Sequence, residues 1–394
     1  NPQGELRAQI DSVDKAVTEA LRLGQMGEFR RQIGKGLALL DGKAWTPQLD
    51  YQSSLVLRSD RTVIDASTSW ALRLEQIYRP AIELTPALTA KASIRPRPAG
   101  RQGSSTPPEV LPAHELATFD GVGRDLRESP LPMELDLSAE TDGAYLVEVE
   151  VFDGATSLGA ARLGVVLRKG LDTRAKALES AASMVPEGVR ADVLYPVDFI
   201  RNVNRGRVGI GTFDLAAELS VAEGLVSATK GRKDPFKGRT VDMELHYVLE
   251  GANEVMPYRV FVPKAYKGEP TPLVIALHGL GVNEDSFFDS YDRLPPQLAE
   301  QHGFLLAAPL GFRTDGFYGS SVMGVNDAAS KRRIELSEKD VLEVLRLMRT
   351  YYKVDESRIY LMGHSMGAIG AWHLGAKYAD TWAGIAAFSG VGYP

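Results

Sequence analysis

Apolar residues in the first forty positions recur at helical spacing: Leu6, Ile10, Val13, Val17 and Leu21, then, after a break around Gly24 to Gly27, Phe29, Ile33, Leu37 and Leu40. The pattern predicts two packed helices, and a third helical stretch over Val63 to Tyr78. Further on the period drops to two. Tyr145, Val147, Val149 and Val151 alternate with Leu146, Glu148 and Glu150, Asp153-Gly154 supplies a turn, and a second apolar run covers Leu158 to Leu167. That is the signature of a β-hairpin. Paired with a strand near Leu84 to Ile94, it predicts a small β-sandwich, to which Leu171 to Met184 and Leu215 to Thr229 add helices. The proline- and glycine-rich stretch Arg95 to Pro112 reads as a loop, and Lys230 to Pro235 as a boundary. No internal repeat is visible.

Beyond residue 236 short apolar runs alternate with helical stretches, the texture of a largely parallel sheet covered by helices. Tyr258 to Val262 reads as an early edge strand, Leu273 to Leu277 and Phe304 to Ala308 as buried strands, Ile359 to Met362 as another and Trp382 to Phe388 as the last. Ser337-Glu338-Lys339-Asp340 fits a capping box opening a helix with Val341, Val344, Leu345, Met348 and Tyr352 on one face. The expected organisation is a helical region (1–85), a β-sandwich-like region with helical additions (86–235) and an α/β domain (236–394).

Composition narrows the function classes. The 394 residues, 44% apolar and 24% charged, are those of a soluble globular chain of two or three domains. A net charge of −6 without a basic excess argues against a nucleic-acid partner. The absence of cysteine removes disulfides, thiolate metal sites and cysteine nucleophiles. No run of apolar residues is long enough to predict a transmembrane helix. The first residues, Asn1-Pro2-Gln3-Gly4, lack a charged or apolar leader, and a chain beginning without Met is compatible with an exported, processed protein. A secreted or periplasmic location is the expectation.

The chemistry concentrates at Gly363-His364-Ser365-Met366-Gly367, between the apolar run Ile359 to Met362 and the helix-like stretch Ala368 to Tyr378. A strand, a sharp turn and a helix are the context in which such a pentapeptide lifts a serine nucleophile out of the backbone, with glycines at 363 and 367 because strand and helix come too close for side chains. A second element supports it. The strand Leu273 to Leu277 runs into His278-Gly279-Leu280-Gly281, a glycine turn able to aim a backbone N–H at a developing oxyanion. The N–H groups of Leu280 and Met366 would make a two-donor oxyanion hole, of which one donor is typically worth about 100 to 1000-fold in turnover.

The stretches Leu277 to Gly281, Ala308 to Gly311, Asp315 to Gly319 and Val354 to Gly367, in this order, resemble the amino-terminal part of an α/β-hydrolase domain. The similarity is to the carboxylesterase, feruloyl esterase and polyhydroxybutyrate-depolymerase-like branch, close also to the prolyl-oligopeptidase-type hydrolases. It implies a serine-dependent carboxylic ester hydrolase acting through an acyl-enzyme on a small or polymer-linked ester, with Ser365 as nucleophile and no metal or organic cofactor. Some members of the branch carry an immunoglobulin-like domain ahead of the hydrolase, and the hairpin at Asp153-Gly154 is compatible with one. His278 and Tyr318 are candidate pocket residues, with structural roles as the competing reading.

Triads on this fold run serine, acid, histidine. The residues after Ser365 offer only Asp380, before the last strand, and His373, eight residues along the helix and so about 12 Å away at about 1.5 Å per residue. His364 is expected to point into the packing beneath the turn, and His114, His246 and His302 read as surface or packing residues. The acid and the base are therefore expected outside these residues, on a missing stretch or on a second polypeptide that completes the sheet. Two rivals stand beside this reading: a prolyl-oligopeptidase-type peptidase, and a binding protein with a vestigial hydrolase fold.

Overall fold

The computed structural model describes residues 4–97, 111–211, 213–229, 236, 239–321 and 327–391. Most of the loop expected over Arg95 to Pro112 and the boundary at Lys230 to Pro235 lie outside the described residues. The chain divides into two compact units, Asn1–Arg174 with Asn202–Gly209, and Ala175–Arg201 with Ile210–Pro394.

The first unit opens with α1 (Glu5–Arg22) and α2 (Met26–Leu40), packed on each other as the spacing predicts, and α3 (Pro47–Ser54), capped by the Thr46 hydroxyl. Arg31 of α2 binds Asp50 of α3 at 2.9 Å. Eight strands follow: β1 (Leu55–Arg58), β2 (Val63–Asp65), β3 (Trp70–Gln76), β4 (Leu88–Pro96), β5 (His114–Val122), β6 (Leu131–Leu135), β7 (Gly143–Asp153) and β8 (Thr156–Arg168). They form a three-stranded sheet, β1-β3-β6, and a five-stranded sheet, β2-β8-β7-β4-β5. Both sheets contribute to one core, where Leu72, Leu74 and Met133 of the first join Ala90, Val147, Val149 and Val165 of the second.

The hairpin is as expected: β7 and β8 pair antiparallel, with Gly154 in the left-handed region at the turn. The third helix is not. Val63 to Tyr78 holds β2 and β3, because Trp70, Leu72, Leu74 and Gln76 are buried while Ala71 and Arg73 are exposed, a period of two. A turn closed by Asp65, whose Oδ1 accepts from Ser67 N at 2.9 Å, separates the two strands. Each strand is too short for its period to show in a helical window.

Three helices follow, α4 (Leu171–Ala182), α5 (Glu187–Asn204) and α6 (Leu215–Ala228), and then the second unit's sheet. Its elements are β9 (Val241–Leu249), β10 (Glu254–Val262), β11 (Thr271–Leu277), α7 (Ser286–Asp289), α8 (Leu294–His302), β12 (Leu305–Pro309), α9 (Ala328–Tyr351), β13 (Val354–His364), α10 (Met366–Lys377) and β14 (Gly384–Phe388). The strand order is β14-β13-β11-β12-β10-β9. The four strands from β11 to β14 are parallel where they pair, and β9 and β10 run antiparallel. None of the described helices is long and apolar enough to cross a membrane.

Two expectations are corrected here. The edge strand is β9, not the stretch Tyr258 to Val262, which belongs to β10 inside the sheet. In β9, Met243, Leu245, Tyr247 and Leu249 face the core while exposed or half-buried Asp242, Glu244 and His246 alternate with them. Helix α9 begins at Ala328, with Asp327 capping Ser330 N, so the supposed capping box lies inside it. Its polar side chains serve tertiary contacts instead. Ser337 Oγ accepts from Tyr318 N at 3.0 Å, and buried Asp340 accepts from the Tyr247 hydroxyl and, at 2.6 Å, from Phe312 N. Burial pushes Asp340 up to about 6.

Glu338, between Ser337 and Asp340 in the same turn of the helix, ties α9 to α10. It accepts from His373 Nε2 (3.0 Å), Lys377 Nζ (2.7 Å) and the Tyr378 hydroxyl (2.6 Å). Burial would raise its carboxyl, but these donors outweigh burial and hold it at about 2, below the usual 4.5. A depressed carboxylate stabilises the fold above its unfolded value and loses that contribution as pH falls toward the folded one. Stability should therefore drop between about pH 5 and pH 2, and Glu338→Gln should lower the urea midpoint at pH 7 while flattening this acid dependence.

Candidate active site

Strand β13 ends at His364 and α10 begins at Met366, so Ser365 alone makes the turn between them. Its backbone sits at φ 54° and ψ −114°, a region that L-residues avoid at a cost of about 1–3 kcal/mol. The surroundings impose it. Ser365 N donates to Phe388 O of β14 at 2.8 Å, and its carbonyl accepts from Ala368 N and Ile369 N in the first turn of α10.

The flanking glycines are dictated by close approach. A Cβ on Gly363 would lie 2.1 Å from Gly367 O, and one on Gly367 would lie 1.9 Å from Leu277 O, far inside van der Waals contact. Helix α10 is thus seated on the carboxyl end of β11. A third tight glycine, Gly390, whose Cβ would lie 2.4 Å from the Ala368 Cβ, escaped sequence reasoning because it lies outside the pentapeptide.

The turn after β11 reaches the serine: a Cβ on Gly279 would stand 3.6 Å from Ser365 Cβ. Leu280 is exposed and Met366 is buried at the first position of α10. His278 is buried, with Nδ1 2.8 Å from Gly279 O and Nε2 2.7 Å from Leu310 O. Burial draws its pKa down, and the two carbonyls only partly offset that. The Tyr318 hydroxyl donates to His278 O at 3.2 Å, and its ring has no exposed surface. Both candidate pocket residues therefore clamp the 278–281 turn from inside the protein and do not line open space.

A strand-turn-helix that strains one half-buried serine, beside a glycine turn at the end of the neighbouring parallel strand, is the local architecture of a nucleophile elbow. Residues 250–394 match the sequence family described as putative esterase. The resemblance to the α/β-hydrolase esterases extends to individual proteins. Feruloyl esterase B of Neurospora crassa is 32% identical over 134 residues, covering 34% of this chain and 43% of that one. Feruloyl esterase B of Talaromyces funiculosus is 27% identical over 140 residues, covering 34% and 36%. The chain spans 35–43% of the length of the feruloyl esterases it matches. Among solved structures, a ferulic acid esterase of Anaeromyces mucronatus shares 19% identity at a TM-score of 0.31, covering 40% of this chain and 62% of its own. The sequence matches carry the likeness, and that superposition adds nothing to them.

Within the esterase-like region, no side chain among the described residues hydrogen-bonds Ser365 Oγ. Each histidine is engaged elsewhere or lies open. His373 binds Glu338, His246 binds Asp192 at 3.0 Å, and His114 binds Glu140 at 2.9 Å. His302 is exposed. His364 is exposed too, contrary to the expectation that it packs beneath the turn, because residue 364 ends β13 and alternation turns it outward after buried Gly363.

Replacing Gly367 by Ala should destabilise the second unit by at least about 3 kcal/mol, since backbone on both sides must move to admit one methyl group. Tyr318→Phe, which only removes the donor to His278 O, should lose about 1 kcal/mol. Urea unfolding followed by tryptophan fluorescence distinguishes the two.

Proposed function

We propose that this protein is a serine-dependent carboxylic ester hydrolase. The observation that carries the reading is the backbone of Ser365, φ 54° and ψ −114°, held between β13 and α10 inside the region that matches the putative esterases. Ser365 Oγ attacks the ester carbonyl. The tetrahedral oxyanion takes hydrogen bonds from the N–H groups of Leu280 and Met366, the alcohol leaves with a proton, and water then releases the acid from the acyl-enzyme. The clamp of Tyr318 and His278 supports this assignment, because a turn fixed from inside keeps Leu280 N–H in place without reorganisation during the reaction.

The imidazole that moves the proton, and the carboxylate that orients it, are assigned to a further polypeptide stretch pairing along β14, either of the same gene product or of a cleaved companion. The names of the relatives suggest an aromatic acyl group, small or polymer-linked, as substrate class. In the same proposal the two sheets of the first unit are an immunoglobulin-like sandwich ahead of the hydrolase, and the protein works outside the cytoplasm.

The test uses the full gene product in its native state. It should react with a fluorophosphonate and hydrolyse methyl ferulate, and Ser365→Ala should abolish labelling and lower hydrolysis by at least about 1,000-fold. Denatured mass should reveal either a longer chain or a companion of roughly 70 to 120 residues. Equal rates with and without the Ser365 hydroxyl, or cleavage of peptides in preference to esters, would overturn the reading.

A further inference from the structure

The 278–281 turn is tied to one segment beyond β12, residues 310–318. Gly281 N donates to Thr314 O at 2.9 Å, His278 Nε2 lies 2.7 Å from Leu310 O, and the Tyr318 hydroxyl reaches His278 O. The near end of that segment is strained. Gly311 and Phe312 follow one another at φ 74° and 63°, and Arg313 N donates back to Gly311 O at 2.7 Å. A three-residue turn with a positive φ at its centre is the rare form, and a phenylalanine is an unfavourable residue to place there. Such a backbone persists only where its surroundings fix it.

Asp340 of α9 fixes it. The side chain has no exposed surface, its Oδ2 accepts from Phe312 N at 2.6 Å, and the Gly311 amide also acts on the carboxylate. Oδ1 accepts from the Tyr247 hydroxyl of β9. Successive backbone amides in a turn form a concavity suited to an anion. The carboxyl titrates at about 6, so at neutral pH it is ionised and both oxygens are acceptors. The far end of the segment is held separately, Tyr318 N donating to Ser337 Oγ at 3.0 Å.

We propose that Asp340 is a positioning residue for ester hydrolysis at Ser365: by holding Gly311 and Phe312 in their strained turn it sets Leu310 O and Thr314 O, and through them the Leu280 N–H that meets the oxyanion. The inference rests on the ester-hydrolase reading, and Asp340 acts only through the loop. Without its carboxylate the turn at Phe312 relaxes, Thr314 O shifts from Gly281 N, and Leu280 N–H leaves a position in which one donor is typically worth about 100 to 1000-fold in turnover.

Hydrogen exchange read by mass spectrometry, together with steady-state hydrolysis of methyl ferulate, tests this in the full gene product. Asp340→Leu keeps the bulk and removes both acceptors. It should speed exchange in the peptide carrying Gly281 at least about tenfold with little change in α10, and lower kcat at least about tenfold with KM within about threefold. Asp340→Asn keeps one oxygen for Phe312 N and should fold even where the leucine variant does not; both changes should appear in the same direction, each at least about threefold. Tyr247→Phe is the comparison. It removes the other donor to Asp340 and should lower the urea midpoint, with Gly281 exchange and kcat within about twofold of wild type. The proposal falls if the folded Asp340 variants leave Gly281 exchange or kcat unaltered, or if Tyr247→Phe lowers kcat as far as they do, since any loosening of α9 would then suffice. Exchange at Gly281 requires no ester chemistry. A wild-type protein that hydrolyses no ester, with the exchange responding as expected, would therefore sink the ester reading and leave the tether from Asp340 to the turn standing.

Discussion

The carbonyl of Leu277 occupies the place where a side chain on residue 367 would have to go, and the carbonyl of Gly367 does the same to residue 363. Through these two contacts β11, β13 and α10 share a junction in which backbone lies directly on backbone. Everything that matters about Ser365 follows from that closeness. The chain has one residue in which to leave a strand and enter a helix, that residue must take a positive φ, and its amide finds a partner across the sheet in Phe388 O. A looser junction would let the turn spread over more residues and the serine relax.

Around this junction the polar side chains of the second unit form a frame. Glu338 draws three donors from the end of α10 and its cap, Ser337 holds Tyr318 N, and Asp340 holds the loop after β12 through Phe312 N. All three lie on one long helix, so α9 serves as the post to which the elbow helix and both neighbouring loops are fastened. The sheet register contributes in the same way. Pro257 of β10 stands opposite His246, a position whose amide points outward to Asp192, so the proline's missing N–H leaves no gap in the ladder with β9.

How much of this could be read from the sequence differed by kind of signal. The elbow, the glycine turn after Leu277 and the hairpin at Asp153-Gly154 are written in adjacent residues, and local steric rules suffice to find them. The helix expected over Val63 to Tyr78 was mistaken because two short strands and a turn leave apolar residues at spacings that a helical window accepts. Ser337-Glu338-Lys339-Asp340 has the composition of a cap, but each of Ser337, Glu338 and Asp340 is occupied by a partner distant in sequence, which no local rule registers. Strand β9 alternates cleanly, Met243, Leu245, Tyr247 and Leu249 against Asp242, Glu244, His246 and Val248, and was legible by the same rule as the hairpin although it was not among the expected strands. The clamp of Tyr318 on His278 depends wholly on tertiary contacts, and nothing in the neighbouring letters announces it.

The seat of Gly367 on Leu277 joins segments far apart along the chain, with β12 and α9 between them. The pentapeptide alone has no means of holding its serine at a positive φ, and in a nascent or partly unfolded chain it would fall back to ordinary backbone geometry. The posture of Ser365 is in that sense interlocked with assembly: until β11 has met α10, the chain carries its hydroxyl without the backbone geometry on which the proposed reaction depends.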